Sequence, residues 1–87
     1  MVFDWDDSKH ERNFRERGYG FDYASLIFEG RTIDWEDTRF NYGEKRVVAV
    51  GRVEDRFLTV VYTDRNEVRW IIASWPSSRK KRRLWLE

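Results

Sequence analysis

Three apolar runs joined by connections too short to hold a helix limit what this chain can become. They are Arg46-Val47-Val48-Ala49-Val50, Phe57-Leu58-Thr59-Val60-Val61-Tyr62-Thr63 and Val68-Arg69-Trp70-Ile71-Ile72-Ala73-Ser74, each rich in β-branched and aromatic residues and bounded by polar turn material. The links between them, Gly51 to Arg56 and Asp64 to Glu67, leave no room for a crossover helix, so neighbouring strands must run antiparallel. The result is a three-strand meander. Apolar side chains fall on both faces of each strand, Val48 and Val50 against Val47 and Ala49, which requires cover on much of both sides of the sheet.

The cover has to come from short flanking segments. Val2 to Trp5 reads as a short strand, followed by Asp6, Asp7 and Ser8 as competing N-caps for a helix that runs to Arg17. Ser8 with Glu11 fits a capping box, whereas a cap at Asp6 places acids in the first turn. Gly18 suits the left-handed position past the helix end. Phe14, with His10 one turn earlier, is the apolar seam expected to dock this helix. Phe21, Ala24 and Phe28 then mark the buried face of a second short helix ended by Gly30. Arg31 to Asp37 alternates around Ile33 and Trp35 as a half-buried or edge strand, and Thr38 to Glu44 reads as a loop. Pro76 is placed as the first residue of a C-terminal helix carrying Arg79, Lys80, Lys81, Arg82 and Arg83. The fold class expected is α+β: N-terminal helices packed on a mainly antiparallel sheet with a central meander, plus a basic C-terminal helix, in one domain spanning residues 1–87.

Composition excludes several function classes. The aromatic share of 17% in 87 residues argues for a folded domain in spite of 38% charged residues. With no cysteine and one histidine, a disulfide framework, a thiolate metal site and a histidine-rich metal site are all out of reach, so no metal and no cofactor are expected. No apolar run approaches a membrane span and the acidic, aromatic start lacks the form of a signal peptide, so a cytoplasmic protein without membrane contact is expected. A net charge of +1 conceals a polarity: residues 1–44 sum to −5 and residues 45–87 to +6. The basic half reads either as solvated surface or as a surface for a polyanion.

The opening Phe3-Asp4-Trp5-Asp6 with Lys9 and Asn13, then Gly18, Phe21, Ala24 and Phe28, the Tyr42-Gly43-Glu44 block followed by Arg46, Gly51, the Val60 to Thr63 strand and Ile71-Ile72 before a basic end resemble the BrnT toxin family. These matches keep the family's order from residue 3 to the C-terminus; each motif is unspecific alone and the set is specific together. The resemblance implies a RelE-like ribonuclease toxin that arrests growth. It also implies neutralisation by a BrnA-like antitoxin in a complex with two copies of each chain, with DNA contacted only through the antitoxin. The chain departs from the family at three points. Glu16-Arg17-Gly18 stands where Lys-His-Gly is common, Ala73-Ser74-Trp75 where Ser-Ala-Arg is common, and a lysine near Lys80 or Lys81 where an acid is usual. Arg17 and Trp75 thus occupy the places of a histidine and an arginine.

Cleaving RNA without a metal uses the adjacent 2′-hydroxyl as nucleophile. The protein has to help remove that proton, stabilise charge on the phosphate oxygens and protonate the leaving 5′-oxygen. Arg46 and Arg69, held by strands, are candidates for charge stabilisation, their alternative being strand-end ion pairs with Glu44 or Glu67. Lys9 is the cation that the resemblance adds, against an ordinary exposed helix lysine. For proton transfer the sequence offers His10, which as a helix-face histidine near Phe14 also reads as structural, and Tyr62, which also reads as core and would need cations to lower its pKa. Glu44 serves either as a base or to orient Arg46. Arg79 to Arg83 are the candidate RNA grip. Two other classes remain open on the residues: a nucleic-acid binder without catalysis, in which Trp35, Trp70 or Trp75 stack bases, and a protein-binding module with a basic tail.

Overall fold

The computed structural model describes all residues 1–87. In chain order it contains β1 (Val2–Trp5), α1 (Asp7–Arg17), α2 (Phe21–Ala24) running into a 3-10 turn (Ser25–Glu29), β2 (Ile33–Glu36), β3 (Val47–Val53), β4 (Arg56–Arg65), β5 (Val68–Pro76) and α3 (Arg79–Leu86). One five-stranded sheet has the order β1-β5-β4-β3-β2, with β1 parallel to β5 and every other pair antiparallel. The meander expected from the apolar runs is its centre.

The connections are tighter than the sequence suggests. β3 continues through Gly51 and Arg52 to Val53, so the first hairpin turns on Glu54 and Asp55 alone, with Glu54 at φ +55°. The second turns on Asn66 and Glu67, both at positive φ, as a two-residue turn matching the strand twist demands. Gly51 belongs in the strand because of a close approach. A Cβ there would stand 2.6 Å from the Ile27 Cβ, so the missing side chain is what lets the 3-10 turn settle on the sheet.

Alternation gives the sheet two unlike faces. On the α2 face, Ala49, Val53, Leu58, Val60, Tyr62 and Ile71 meet Tyr19, Phe21, Ala24 and Ile27 in one core, with Phe3, Trp5, Phe28 and Val47 packed against it. On the α3 face, Val48, Val50, Thr59, Val61 and Thr63 are also buried. A bulge decides what joins them. Val61 pairs with Ala73 and Tyr62 with Ile71, so Ile72 has no partner and the alternation of β5 shifts by one residue there. Ser74 consequently turns to the α2 face, where its Oγ lies 3.1 Å from the Tyr19 hydroxyl. Trp75 turns to the α3 face, beside Thr59.

One open choice is decided and two local expectations are corrected. The cap of α1 is Asp6, whose Oδ1 accepts from the Lys9 N–H at 3.1 Å, and Ser8 lies inside the helix. Phe14 does not dock α1: it is 59% exposed, and the buried residue of that helix is Asn13. The Asn13 amide donates to the Tyr19 carbonyl at 2.9 Å, and the Phe21 N–H donates to His10 Nδ1 at 3.0 Å. The seam is therefore polar because the buried link between α1 and α2 needs partners for its backbone groups. Finally, Pro76 closes β5 instead of opening α3; the cap is Ser78, accepting from the Lys81 N–H. Gly18 holds the left-handed position at φ +82°, its N–H donating to the Phe14 carbonyl, as its place in the sequence predicts.

Candidate functional site

The two-residue turns fix the register across the meander, and the register separates residues that sequence reasoning grouped. Val47 lies opposite Tyr62, and Asp64 opposite Arg69. Arg46, one residue before Val47, therefore projects to the α3 face, whereas Arg69 and Tyr62 project to the α2 face. Arg69 and Arg46 do not share a site. The Arg69 guanidinium lies 3.9 Å from the Tyr62 ring centroid and 4.8 Å from that of Phe28, and donates twice to the Asp64 carboxylate at 2.8 and 2.9 Å. The ion-pair alternative thus holds for Arg69, with Asp64 in place of Glu67. Its hydrogen bond to Asp64 raises its pKa further.

The condition set for Tyr62 as a proton donor, a pKa lowered by cations, is not met, and the side chain is buried in the core. Burial, then its hydrogen bond to Asp34 Oδ2 at 2.7 Å, hold the phenol well above its ordinary value, opposite to what acid catalysis needs. His10 is engaged as well. Its ring stacks on Trp5 at 5.5 Å and 12°, and its Nδ1 already accepts from Phe21. It also fills the space that a side chain at Gly20 would need. Lys9 is exposed on α1 and lines a cleft with Arg12, Asn13, Arg17 and Trp75, away from Arg46.

What the structure assembles on the α3 face is a chain of paired charges and rings at the start of β3. Asp37, buried, accepts two bonds from the Arg39 guanidinium at 2.9 Å each, one from the Arg39 N–H at 3.2 Å and one from the Tyr42 hydroxyl at 3.1 Å. The Arg39 bond, foremost among these, holds the Asp37 carboxyl far below the usual carboxylate range and raises Arg39 in turn. The Arg46 guanidinium lies over the Tyr42 ring at 4.0 Å, and its Nε stands 3.6 Å from Glu44 Oε2. That Nε is buried and has no hydrogen-bond partner. Glu44 spans Arg46 and Arg65, accepting from Arg65 at 2.6 and 3.2 Å, and the Arg65 bond, ahead of the other causes, lowers its pKa. Arg65 in turn lies 5.6 Å from the centroid of Trp70.

Next to this chain lies a groove of about 250 Å³, floored by Val48 and Thr59, with Trp35 and Trp75 as walls and Asp37, Arg39 and Lys81 among its lining. The basic helix meets it on one side only. The Lys81 ammonium sits 4.1 Å from the Trp35 ring centroid, whereas Arg79, Lys80, Arg82 and Arg83 are exposed. α3 is anchored by Trp85, which packs edge-on against Phe57 at 5.3 Å and donates from its indole to the Arg31 carbonyl at 2.8 Å. No three His, Cys, Asp or Glu side chains converge into a set that would hold a metal ion, and no helix is long and apolar enough to cross a membrane.

A family model described as ribonuclease toxin, BrnT, of type II toxin-antitoxin system matches residues 5–82. The chain belongs to the BrnT family. No curated protein matches it significantly. Membership brings with it an antitoxin partner. The geometry, separately, gives the Tyr42-Gly43-Glu44 block a physical place: Tyr42 and Glu44 both flank the Arg46 side chain. Arg65, Asp37 and Arg39 were missed by sequence reasoning. The signal that finds Arg65 is the register, since the two-residue turn at Glu54 and Asp55 pairs Val47 with Tyr62 and so puts Arg65, three residues on, on the same face as Arg46.

Proposed function

We propose that this BrnT-family chain cleaves single-stranded RNA without a metal, and that the scissile phosphate lies against Arg46 and Arg65 on the α3 face. The carrying observation is the Arg46 side chain, held between a ring and a carboxylate, its buried Nε facing Glu44 without a hydrogen bond. The long contact to Glu44 leaves the guanidinium incompletely satisfied, and the side chain is 28% exposed, so its outer nitrogens can meet a phosphate oxygen while Nε stays turned to the carboxylate. In the reaction the 2′-oxygen attacks phosphorus, the bond to the 5′-oxygen breaks, and charge gathers on the non-bridging oxygens. A guanidinium fixed beforehand stabilises that charge with little reorganisation. Glu44 acts to position both arginines: the same bonds that fix it make it a weak base, so the protons pass to and from water.

The remaining parts of the proposal follow the family. A RelE-like, cytoplasmic toxin is kept silent by a BrnA-like antitoxin, two copies of each forming the complex, and DNA is met only through the antitoxin. The exposed cations of α3 add attraction for RNA phosphates. The test is purified chain with end-labelled RNA in EDTA. Products ending in 2′,3′-cyclic phosphate support the reading, whereas RNA retained uncut assigns the face to binding alone.

A further inference from the structure

We propose that the groove between Trp35 and Trp75 is a nucleobase subsite, which takes one unpaired base of the RNA while its flanking phosphates lie toward Arg46 and α3. This deepens the RNA reading above and rests on it for the ligand class. Four features of the groove carry it.

The first is the shape. Trp35 on β2 and Trp75 on β5 stand on strands separated by β3 and β4, three strand spacings or about 14 Å apart at the backbone. Between them the floor is made of two short β-branched side chains, Val48 and Thr59, so the indoles rise as walls over a low bed. At about 250 Å³ the space lies just under the ~300 Å³ at which drug-sized pockets begin, suited to one flat heterocycle.

The second is the bulge. With regular alternation Trp75 would follow Ile71 into the α2 core; the unpaired Ile72 turns it to the groove instead, and bulges recur where a side chain must be re-aimed near a functional site. The third is the charge. Lining charges balance, Glu36 and Asp37 against Arg39 and Lys81, and Arg39 closes both oxygens of Asp37. A balanced aromatic interior with cations outside it fits a neutral base inside and phosphates at the rim. The fourth is Lys81. Its ammonium rests on the Trp35 ring, so a base that stacks there displaces it from the indole toward a phosphate while replacing the contact it gives up.

The test measures binding apart from cleavage, with a fluorescein-labelled 2′-O-methyl oligonucleotide, which lacks the nucleophile, and a version of it carrying abasic sites. Trp75→Ala is expected to weaken binding of the base-bearing strand by about 5- to 150-fold, the range for one stacked base, while the salt slope stays that of the parent. Trp75→Phe and Trp35→Phe should keep most of the affinity, which guards against a variant that fails through folding. The parent should bind the abasic strand as weakly as Trp75→Ala binds the normal one. Lys81→Gln should flatten the salt slope by about 0.7. Equal binding by parent and Trp75→Ala at matched melting temperature overturns the subsite, as does equal binding of the normal and abasic strands by the parent or no binding at all. So does a Trp75→Ala variant that loses its antitoxin but keeps the oligonucleotide. Tryptophan-dependent binding by a parent that leaves ordinary RNA uncut would keep the subsite and remove the ribonuclease reading.

Discussion

Replacing Gly51 by Ala tests the packing that seats the 3-10 turn on the sheet. The new Cβ would meet Ile27 Cβ at 2.6 Å, Thr32 Cγ2 at 3.2 Å and Ile27 Cγ2 at 3.3 Å, where carbon atoms prefer about 3.5–4.0 Å. Ile27 is fully buried and cannot swing into solvent, so the turn must lift by roughly 1 Å, loosening its contacts with the sheet. Overpacking of this kind costs about 1–3 kcal/mol. Against a total of about 5–15 kcal/mol, 2 kcal/mol lowers the melting temperature of a domain this size by roughly 8–16 °C. Gly30→Ala is the control, because nothing lies within 4 Å of its added Cβ and its φ of −122° is open to any residue. Thermal denaturation followed by far-UV circular dichroism should show Gly51→Ala clearly less stable than the parent and Gly30→Ala equal to it or slightly better. Ile27→Ala in the Gly51→Ala background should cost less than in the parent, since the clash partner is trimmed. A Gly51→Ala protein that melts with the parent would refute the reasoning.

Tyr62→Phe removes a hydrogen bond to an exposed carboxylate that water can re-solvate, so it should cost about 1–2 kcal/mol by denaturant titration and leave the cleavage rate unchanged; a tenfold loss of rate in a folded variant would return Tyr62 to the chemistry. Asp37 and Glu44 have folded pKa values below their ordinary 3.8 and 4.5, so the native state binds fewer protons than the unfolded chain across that window. Their contribution is therefore full above about pH 5 and is lost as pH falls. Melting temperature should accordingly hold from neutrality to about pH 5 and drop below it, and a rise on acidification would contradict the Asp37 and Glu44 ion pairs. Neutralising Arg79, Lys80, Arg82 and Arg83 to Gln should flatten the salt slope of RNA binding by about 2, at roughly 0.7 per phosphate contact, since helix geometry lets only some of them face one strand. An unchanged slope would assign these four to the antitoxin.

The strands were legible because their composition is: β-branched and aromatic runs bounded by polar turns admit little else, and short links force antiparallel pairing. Asp6, Gly18 and the buried Phe21 and Ala24 could be read or bracketed for similar local reasons. The site was harder because it depends on register. Arg46 and Arg69 look alike as strand cations, and only the pairing of Val47 with Tyr62 and of Asp64 with Arg69 puts the sheet between them. The direction of Trp75 depends on one unpaired residue, Ile72, in a run of apolar residues where nothing marks a bulge. Asn13 in place of Phe14 as the docking residue of α1 reflects a need of the backbone at Tyr19, which hydrophobic periodicity does not register.

The central claim is that Arg46 stabilises the cleavage transition state from the α3 face. The measurement is the cleavage rate of purified single-stranded RNA by the parent and by Arg46→Ala and Arg46→Lys, each beside its melting temperature. Removing one preorganised donor should slow cleavage by about 100-fold or more. Lysine should restore the rate only in part, because it keeps the charge and loses the planar fork that holds two phosphate oxygens. Melting should change little, since Glu44 retains Arg65. An Arg46→Ala chain that melts like the parent and cleaves at the parent's rate would contradict the account.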